Sequence, residues 1–274
     1  MAKNKTFRLA LVAEDPTENE KLAELFEKNG VHVTSLSIGD IALLVKKGEP
    51  GLVSKEFKDL DAVFMQAPPP LLLFVEPFLN ELMERGIYCQ LKPISFNLLC
   101  NKPLMYATLN ARNVPIQKTT LIPEGGNVAA ALKKFAYPVY LEAFHELDKT
   151  QQMLIEDKSQ LTSYLKSIPF TYDVLTAKEF AKVDMHVSIV IGDEVFTAKQ
   201  KWVEADLAHA QDMTKAACKH KEIILHAVKT VGLDIALVKT KGNTVVGMSA
   251  TFDMEAFPHN IHEKIVDFYL RRLG

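Results

Sequence analysis

Apolar and polar positions at the N-terminal end fall into two alternating periods. Residues 7–13 (Phe-Arg-Leu-Ala-Leu-Val-Ala) form a nearly unbroken apolar run, as expected of a strand covered on both faces. Glu14-Asp15-Pro16-Thr17 then supplies helix-starting chemistry, and Leu22, Leu25 and Phe26 make an apolar stripe that ends at Gly30. Strands are predicted at 31–36 and 60–65. A helix follows over about 76–85, stopped by Gly86, and then a strand at 87–90. Strands alternating with helices predict a small parallel α/β region.

The middle of the chain reads as a helical turn at 95–100, then a helix over 103–113 with Pro103 at its first position. Strands are predicted at 116–122, 138–144, 151–155 and 173–180, with helices at 128–135 and 158–166. A hairpin joins 185–191 to 195–202 through Gly192-Asp193. A long helix is predicted over about 211–230, striped by Ile223, Ile224, Ala227 and Val231 and ended by Gly232. Strands at 235–240 and 244–249 and a helix over 260–273 complete the chain. The fold class is α/β. An N-terminal parallel domain (1–92) is followed by a central subdomain with its linker helix (93–180) and a C-terminal antiparallel-sheet domain with helices (181–274).

Composition narrows the classes. The 274 residues are 48% hydrophobic and 24% charged, which excludes a disordered or fibrous chain. Lys plus Arg (32) nearly cancels Asp plus Glu (34), so the net charge of −2 gives no footprint for nonspecific nucleic-acid binding. The longest apolar bursts, such as 71–75, fall far short of a membrane span. Cys89, Cys100 and Cys218 have no CxxC spacing and read as free thiols of a reducing compartment. The opening Met1-Ala2-Lys3-Asn4-Lys5 does not read as a secretory signal, so a cytoplasmic location is expected. Glycine is scarce, 12 residues in all, and none occurs between Gly126 and Gly192.

Several motifs, taken in order, carry a resemblance. Asn101-Lys102-Pro103 leads through a helix to Asn113-Val114-Pro115. Tyr137-Pro138-Val139-Tyr140-Leu141-Glu142 opens a strand, Glu179-Phe180 precedes the hairpin from Asp184 to Lys201, and Val231-Gly232-Leu233-Asp234-Ile235-Ala236 enters the last strand pair. This series resembles the ATP-grasp superfamily, in particular its RimK-like amino-acid ligases, over most of the chain. The resemblance implies ATP as cofactor and activation of a carboxylate as an acyl-phosphate for attack by an amine. That chemistry uses cations against the phosphates, Mg²⁺ on carboxylate or amide oxygens, and a glycine-rich loop. It also implies nucleotide-binding roles for Lys102, Glu179, Lys199 and Lys201.

Measured against that pattern, the chain departs at several positions. Glu142 stands where the second family lysine belongs, and His145-Glu146-Leu147-Asp148-Lys149 replaces the glycine-rich loop. His186 stands for an arginine. Lys239 falls at the first metal-bearing position, and Gly247-Met248-Ser249 replaces Glu-x-Asn. Asp253 and Glu255 lie just beyond and become metal ligands only after a register shift. No catalytic residue and no Mg²⁺ ligand is assigned. The chain is expected to be a catalytically degenerate RimK-like protein, a binding or regulatory subunit acting as a homo-oligomer or beside an active homologue. One alternative is an active divergent carboxylate–amine ligase using Lys102, Lys199, Lys201, Asp253 and Glu255. Another is an interaction scaffold with an empty cleft.

The remaining candidates have plainer readings. His259-x-x-His262, with Glu263, has metal-ligand spacing, but a solvated first helical turn is the expectation. His209, His220 and His226 lack i, i+4 spacing and read as surface or packing residues. The run from Ala67-Pro68-Pro69-Pro70 into Leu71–Val75 reads as a strand-to-helix loop with apolar residues packed inward, rather than a recognition loop. Lys46-Lys47, Lys133-Lys134 and Arg271-Arg272 read as solvated pairs.

Overall fold

The computed structural model describes residues 6–44, 51–52, 57, 59–145, 149–168, 171–203, 208–209 and 211–274. Its N-terminal layer runs β1 (Arg8–Ala13), α1 (Glu20–Lys28), β2 (His32–Ser37), the short pair β3 (Leu43–Leu44) and β4 (Gly51–Leu52), β5 (Ala62–Met65), α2 (Leu72–Glu84) and β6 (Tyr88–Cys89). Strands β2, β1, β5 and β6 form a parallel sheet in that order. Two helices, α3 (Pro93–Cys100) and α4 (Lys102–Ala111), lead out of it. Helix α2 begins at Leu72, four residues before the expected start at residue 76, and absorbs the run after Pro70. Leu72 and Val75 are buried, as expected of an inward-packed segment, while Leu73 stays 88% exposed.

The central layer comprises β7 (Thr119–Pro123), α5 (Val128–Leu132), β8 (Val139–His145), β9 (Lys149–Ile155), α6 (Lys158–Ser167) and β10 (Val174–Glu179). Its antiparallel sheet has the order β7-β10-β8-β9. One face carries Val139, Leu141, Ala143, Leu175 and Ala177, which pack with Leu132, Leu161 and Tyr164 into a core of their own. Strand periodicity sends Tyr140, Glu142, Thr176 and Lys178 to the opposite face.

The C-terminal layer comprises β11 (Met185–Ile191), β12 (Glu194–Gln200), β13 (Trp202–Val203), β14 (Ala208–His209), β15 (Thr214–Lys215), α7 (Lys221–Val231), β16 (Ile235–Lys241), β17 (Thr244–Ser249) and α8 (Ile261–Leu273). Strands β15-β12-β11-β16-β17 form one sheet. The helix expected from about residue 211 begins only at Lys221. Residues 214–215 instead pair with Ala198 and Lys199, and the Ala216 N–H donates to the Thr197 carbonyl. The apolar stripe starts at Ile223, so the residues before it had no face to bury, and the open edge of β12 offered hydrogen bonds instead.

Two cores join the N- and C-terminal layers. Alternate residues of β1 face opposite ways: Ala10 and Val12 toward α2, α3 and α7, Leu9 and Leu11 toward α1 and α8. Tyr269 on α8 is fully buried, and its hydroxyl lies 2.9 Å from both the Val63 carbonyl and Gln90 Oε1. Phe26 meets its ring edge-on at 5.8 Å. Docking of α8 overturns the expected solvated turn: His262 is buried, and His259 Nε2 lies 3.0 Å from the Thr197 carbonyl while its ring stacks on Phe257. The three cysteines are free, as expected. The Lys46-Lys47 pair lies outside the described residues.

Candidate functional site

The polar face of the central sheet looks across at the C-terminal sheet, and a cavity of about 320 Å³ lies between them. It is lined by Lys102 and Tyr106 of α4, Tyr140 and Glu142 of β8, Gln152 of β9, Lys178 of β10, Lys239 of β16 and Gly247 and Ser249 of β17. Strand alternation accounts for each position. Leu237 and Lys239 share the cleft face of β16, while Ala236 and Val238 turn into the core behind it. Lys239 pairs directly with Gly247, and a bulge follows between Lys239 and Thr240.

Glu142 is the centre of the polar network, only 2% exposed. Its Oε2 lies 2.6 Å from Lys178 Nζ, and its Oε1 accepts from Lys102 Nζ and Gln152 Nε2, each at 2.9 Å. Tyr140 donates its hydroxyl to Gln152. Lys178 also reaches the Tyr106 hydroxyl at 3.2 Å, and that hydroxyl donates to the Val246 carbonyl. Burial opposes the Glu142 charge, but the Lys178 and Lys102 ammonium groups outweigh it and hold the carboxyl below its usual range. Burial likewise opposes the Lys178 charge, while Tyr106 and Glu142 more than offset it and raise the ammonium's pKa. A lone carboxylate in this position would repel phosphate. With two lysines bound to it, Glu142 instead fixes cations at the cavity wall.

The other expected nucleotide residues separate. Glu179 and Lys199 line a second cavity of about 870 Å³ with Asp184, His186, Lys118, Lys219 and Lys241. Lys199 pairs with Asp184 at 2.6 Å. Both backbone groups of Glu179 are engaged, its N–H by the Lys118 carbonyl and its carbonyl by Gln117. Lys201 is exposed and lines neither cavity. The structure therefore brings Glu179 and Lys199 together, puts Lys102 in the first cavity and leaves Lys201 apart. Lys178, Tyr106, Tyr140 and Gln152 went unnoticed in the sequence. For Lys178 the available signal was its alternation with Thr176, which puts a lysine on the same face as Glu142.

Among the described residues Glu142 is the one carboxylate lining the first cavity, and both its oxygens are bound to lysines. The Ser249 hydroxyl donates to the Thr251 carbonyl, and Gly247 offers no side-chain oxygen. Asp253 and Glu255 do not rescue the site, because they line a third cavity of about 750 Å³ beside α1. There Glu255 binds Lys21 at 3.0 Å, and Asp253 Oδ1 accepts the N–H groups of Glu255 and Ala256. Among the described residues no group of three or more His, Cys, Asp or Glu side chains is disposed to hold a metal ion. The described residues that line the first cavity do not fit Mg²⁺. Residues 146–148 of the segment expected in place of a glycine-rich loop lie outside the described residues. The flanking strands β8 and β9 pair from Val139↔Ile155 to His145↔Lys149.

No family model and no curated protein matches the sequence. Solved structures do match the fold from end to end. The ATP-grasp ligase PsnB, in complex with a minimal precursor, Mg and ADP, superposes with a TM-score of 0.71 at 14% identity, covering 100% of this chain and 99% of that one. A RimK domain ATP-grasp protein from Sphaerobacter thermophilus gives 0.68 at 18% identity, covering 96% and 99%. D-alanine–D-alanine ligase from Bacillus anthracis gives 0.68 at 11% identity, covering 98% and 97%. Among the described residues, no helix is long and apolar enough to cross a membrane.

Proposed function

This chain has the ATP-grasp fold, and we propose that it binds a nucleoside triphosphate between its central and C-terminal sheets, with the phosphates against Lys102, Lys178 and Lys239. One observation carries this reading: three lysines from three elements line one cavity that, among the described residues, holds a single carboxylate. Excess positive charge in a confined, partly apolar cleft attracts polyphosphate more strongly than the same charges on an open surface. Met105, Met185, Leu237 and Met248 supply the apolar part of the wall. The ADP bound to PsnB supports a nucleotide as the ligand class.

Two readings of turnover remain, each with its own support. The fold favours an ATP-dependent ligase, since two of the neighbours named above are ligases. The lining side chains favour a catalytically silent binding or regulatory subunit beside an active homologue. They supply cations where a metal-dependent ligase supplies carboxylates, and that second reading is the one we adopt.

The test is to follow ATP binding by calorimetry and ADP release with mixed amino acids and Mg²⁺. ATP binding without ADP release is the expected result. ADP release would establish the ligase, and absence of ATP binding would remove the nucleotide reading altogether.

A further inference from the structure

We propose that the Lys239 ammonium replaces the divalent cation in this cavity, so that polyphosphate binds without a metal. The inference rests on the nucleotide reading above and concerns how the phosphate charge is neutralised.

Three observations converge on it. First, among the described residues the cavity lacks a free carboxylate. Both oxygens of Glu142 face lysines, so a divalent ion entering here would meet no unpaired anionic ligand. Second, Lys102 and Lys178 share the Glu142 charge between them, whereas Lys239 forms no ion pair among the described residues and remains exposed at the cavity wall. An unpaired lysine is a flexible point charge with three donors, well suited to phosphate oxygens. Third, Gly247 lies directly across the strand pair from Lys239 and leaves the space beside it open. A Cβ added at Gly247 would meet nothing nearer than Lys239 Cβ at 4.0 Å. The butylammonium arm of Lys239 therefore has room to swing toward a ligand. Its neighbour offers neither a competing carboxylate nor a steric wall.

The charge balance gives the arrangement a direction. Among the described residues, three ammonium groups facing one carboxylate leave a surplus of positive charge before any metal arrives. A divalent ion would add to that surplus and be repelled, while free ATP, more anionic than its Mg²⁺ complex, would be attracted more strongly. Binding should therefore be metal-independent, and Mg²⁺ should compete by sequestering the phosphates.

Titration calorimetry of the full chain with ATP, once in EDTA and once in excess Mg²⁺, tests this, with inorganic tripolyphosphate as a second probe. Binding in EDTA should equal or exceed that in Mg²⁺, and tripolyphosphate should displace ATP. Lys239→Met should weaken EDTA-state binding by about 10- to 100-fold, the loss of one charge-assisted hydrogen bond. Lys239→Arg should retain most of the affinity. Binding that requires Mg²⁺, or tightens tenfold or more with it, would overturn the inference while leaving the nucleotide reading intact. So would a Lys239→Met variant that binds like the parent, or tripolyphosphate that fails to compete. No binding under either condition would remove the nucleotide reading and this inference with it.

Discussion

Lys178 Nζ lies 2.6 Å from Glu142 Oε2, across the diagonal of two paired strands whose register sets Thr176 opposite Glu142. The pair is buried, with the Lys178 side chain 10% and that of Glu142 2% exposed, so each charge depends on the other. Lys102 completes the cluster from α4 at 2.9 Å, but its side chain is 42% exposed and contributes less to stability.

Glu142→Gln should destabilise the fold by about 3–5 kcal/mol, because it strands the buried Lys178 ammonium without a counter-charge. Replacing both partners, Glu142→Leu with Lys178→Met, should recover much of that loss, because no buried charge is left unpaired. Urea unfolding of the parent, the single variant and the double variant measures both effects. A double variant no more stable than Glu142→Gln would show that the ion pair is not the source.

The same pair sets a pH window. Glu142 titrates below its usual range in the folded chain, so its contribution is complete above the unfolded carboxyl pKa of about 4.3. It is lost as pH falls through the lower folded value. Lys178 titrates above its usual range, so its contribution is complete below about pH 10.4 and is lost as pH rises through the folded value. The stability difference between the parent and the Glu142→Leu, Lys178→Met double variant should therefore be flat through neutral pH and shrink at both extremes. A difference that changes between pH 6 and 8 would contradict the assignment.

Rebuilding acidic ligands should bring a metal back. Lys239→Asp combined with Gly247→Glu places two carboxylates on directly paired residues, and the open space at Gly247 accommodates the new side chain. ATP affinity in this variant should rise by about tenfold or more on adding Mg²⁺, the reverse of the parent. Calorimetry with and without EDTA reads the change.

Tyr269→Phe should cost about 1–2 kcal/mol, since it removes the donor that lies between the Val63 carbonyl and Gln90 Oε1 inside a core shared by two layers. Thermal unfolding should show one cooperative transition at lower temperature. Retention of the parental melting temperature would mean that the buried acceptors find other donors.

Thiol labelling should be selective. Burial pushes the Cys89 and Cys100 thiols up to about 12, leaving roughly one part in ten thousand as thiolate at pH 8. Cys218, partly exposed ahead of α7, should be alkylated first. Mass mapping after brief iodoacetamide treatment distinguishes the three.

Local patterns carried a large part of the architecture. The apolar run of β1, the hairpin of β11 and β12 around Gly192 and the alternation in Val139–His145 are written within single elements, and each element formed where its period indicated. Glu142, Lys239 and Gly247 were singled out by the resemblance, and strand alternation in the folded chain sets the face that each takes. Side-chain period follows from backbone geometry and needs no distant partner. What a charged residue does on its face is a different matter, because the partners of Glu142 come from 40 residues before it and 36 after it. The sequence supplied a carboxylate where a lysine was expected, and chain assembly turned it into the anchor of two lysines. Non-local contact likewise drew residues 214–215 onto the edge of β12, buried His262 in the first turn of α8 and directed Asp253 and Glu255 to another cavity. In each case the deciding term was burial or a hydrogen bond contributed by a remote element, which local periodicity cannot encode.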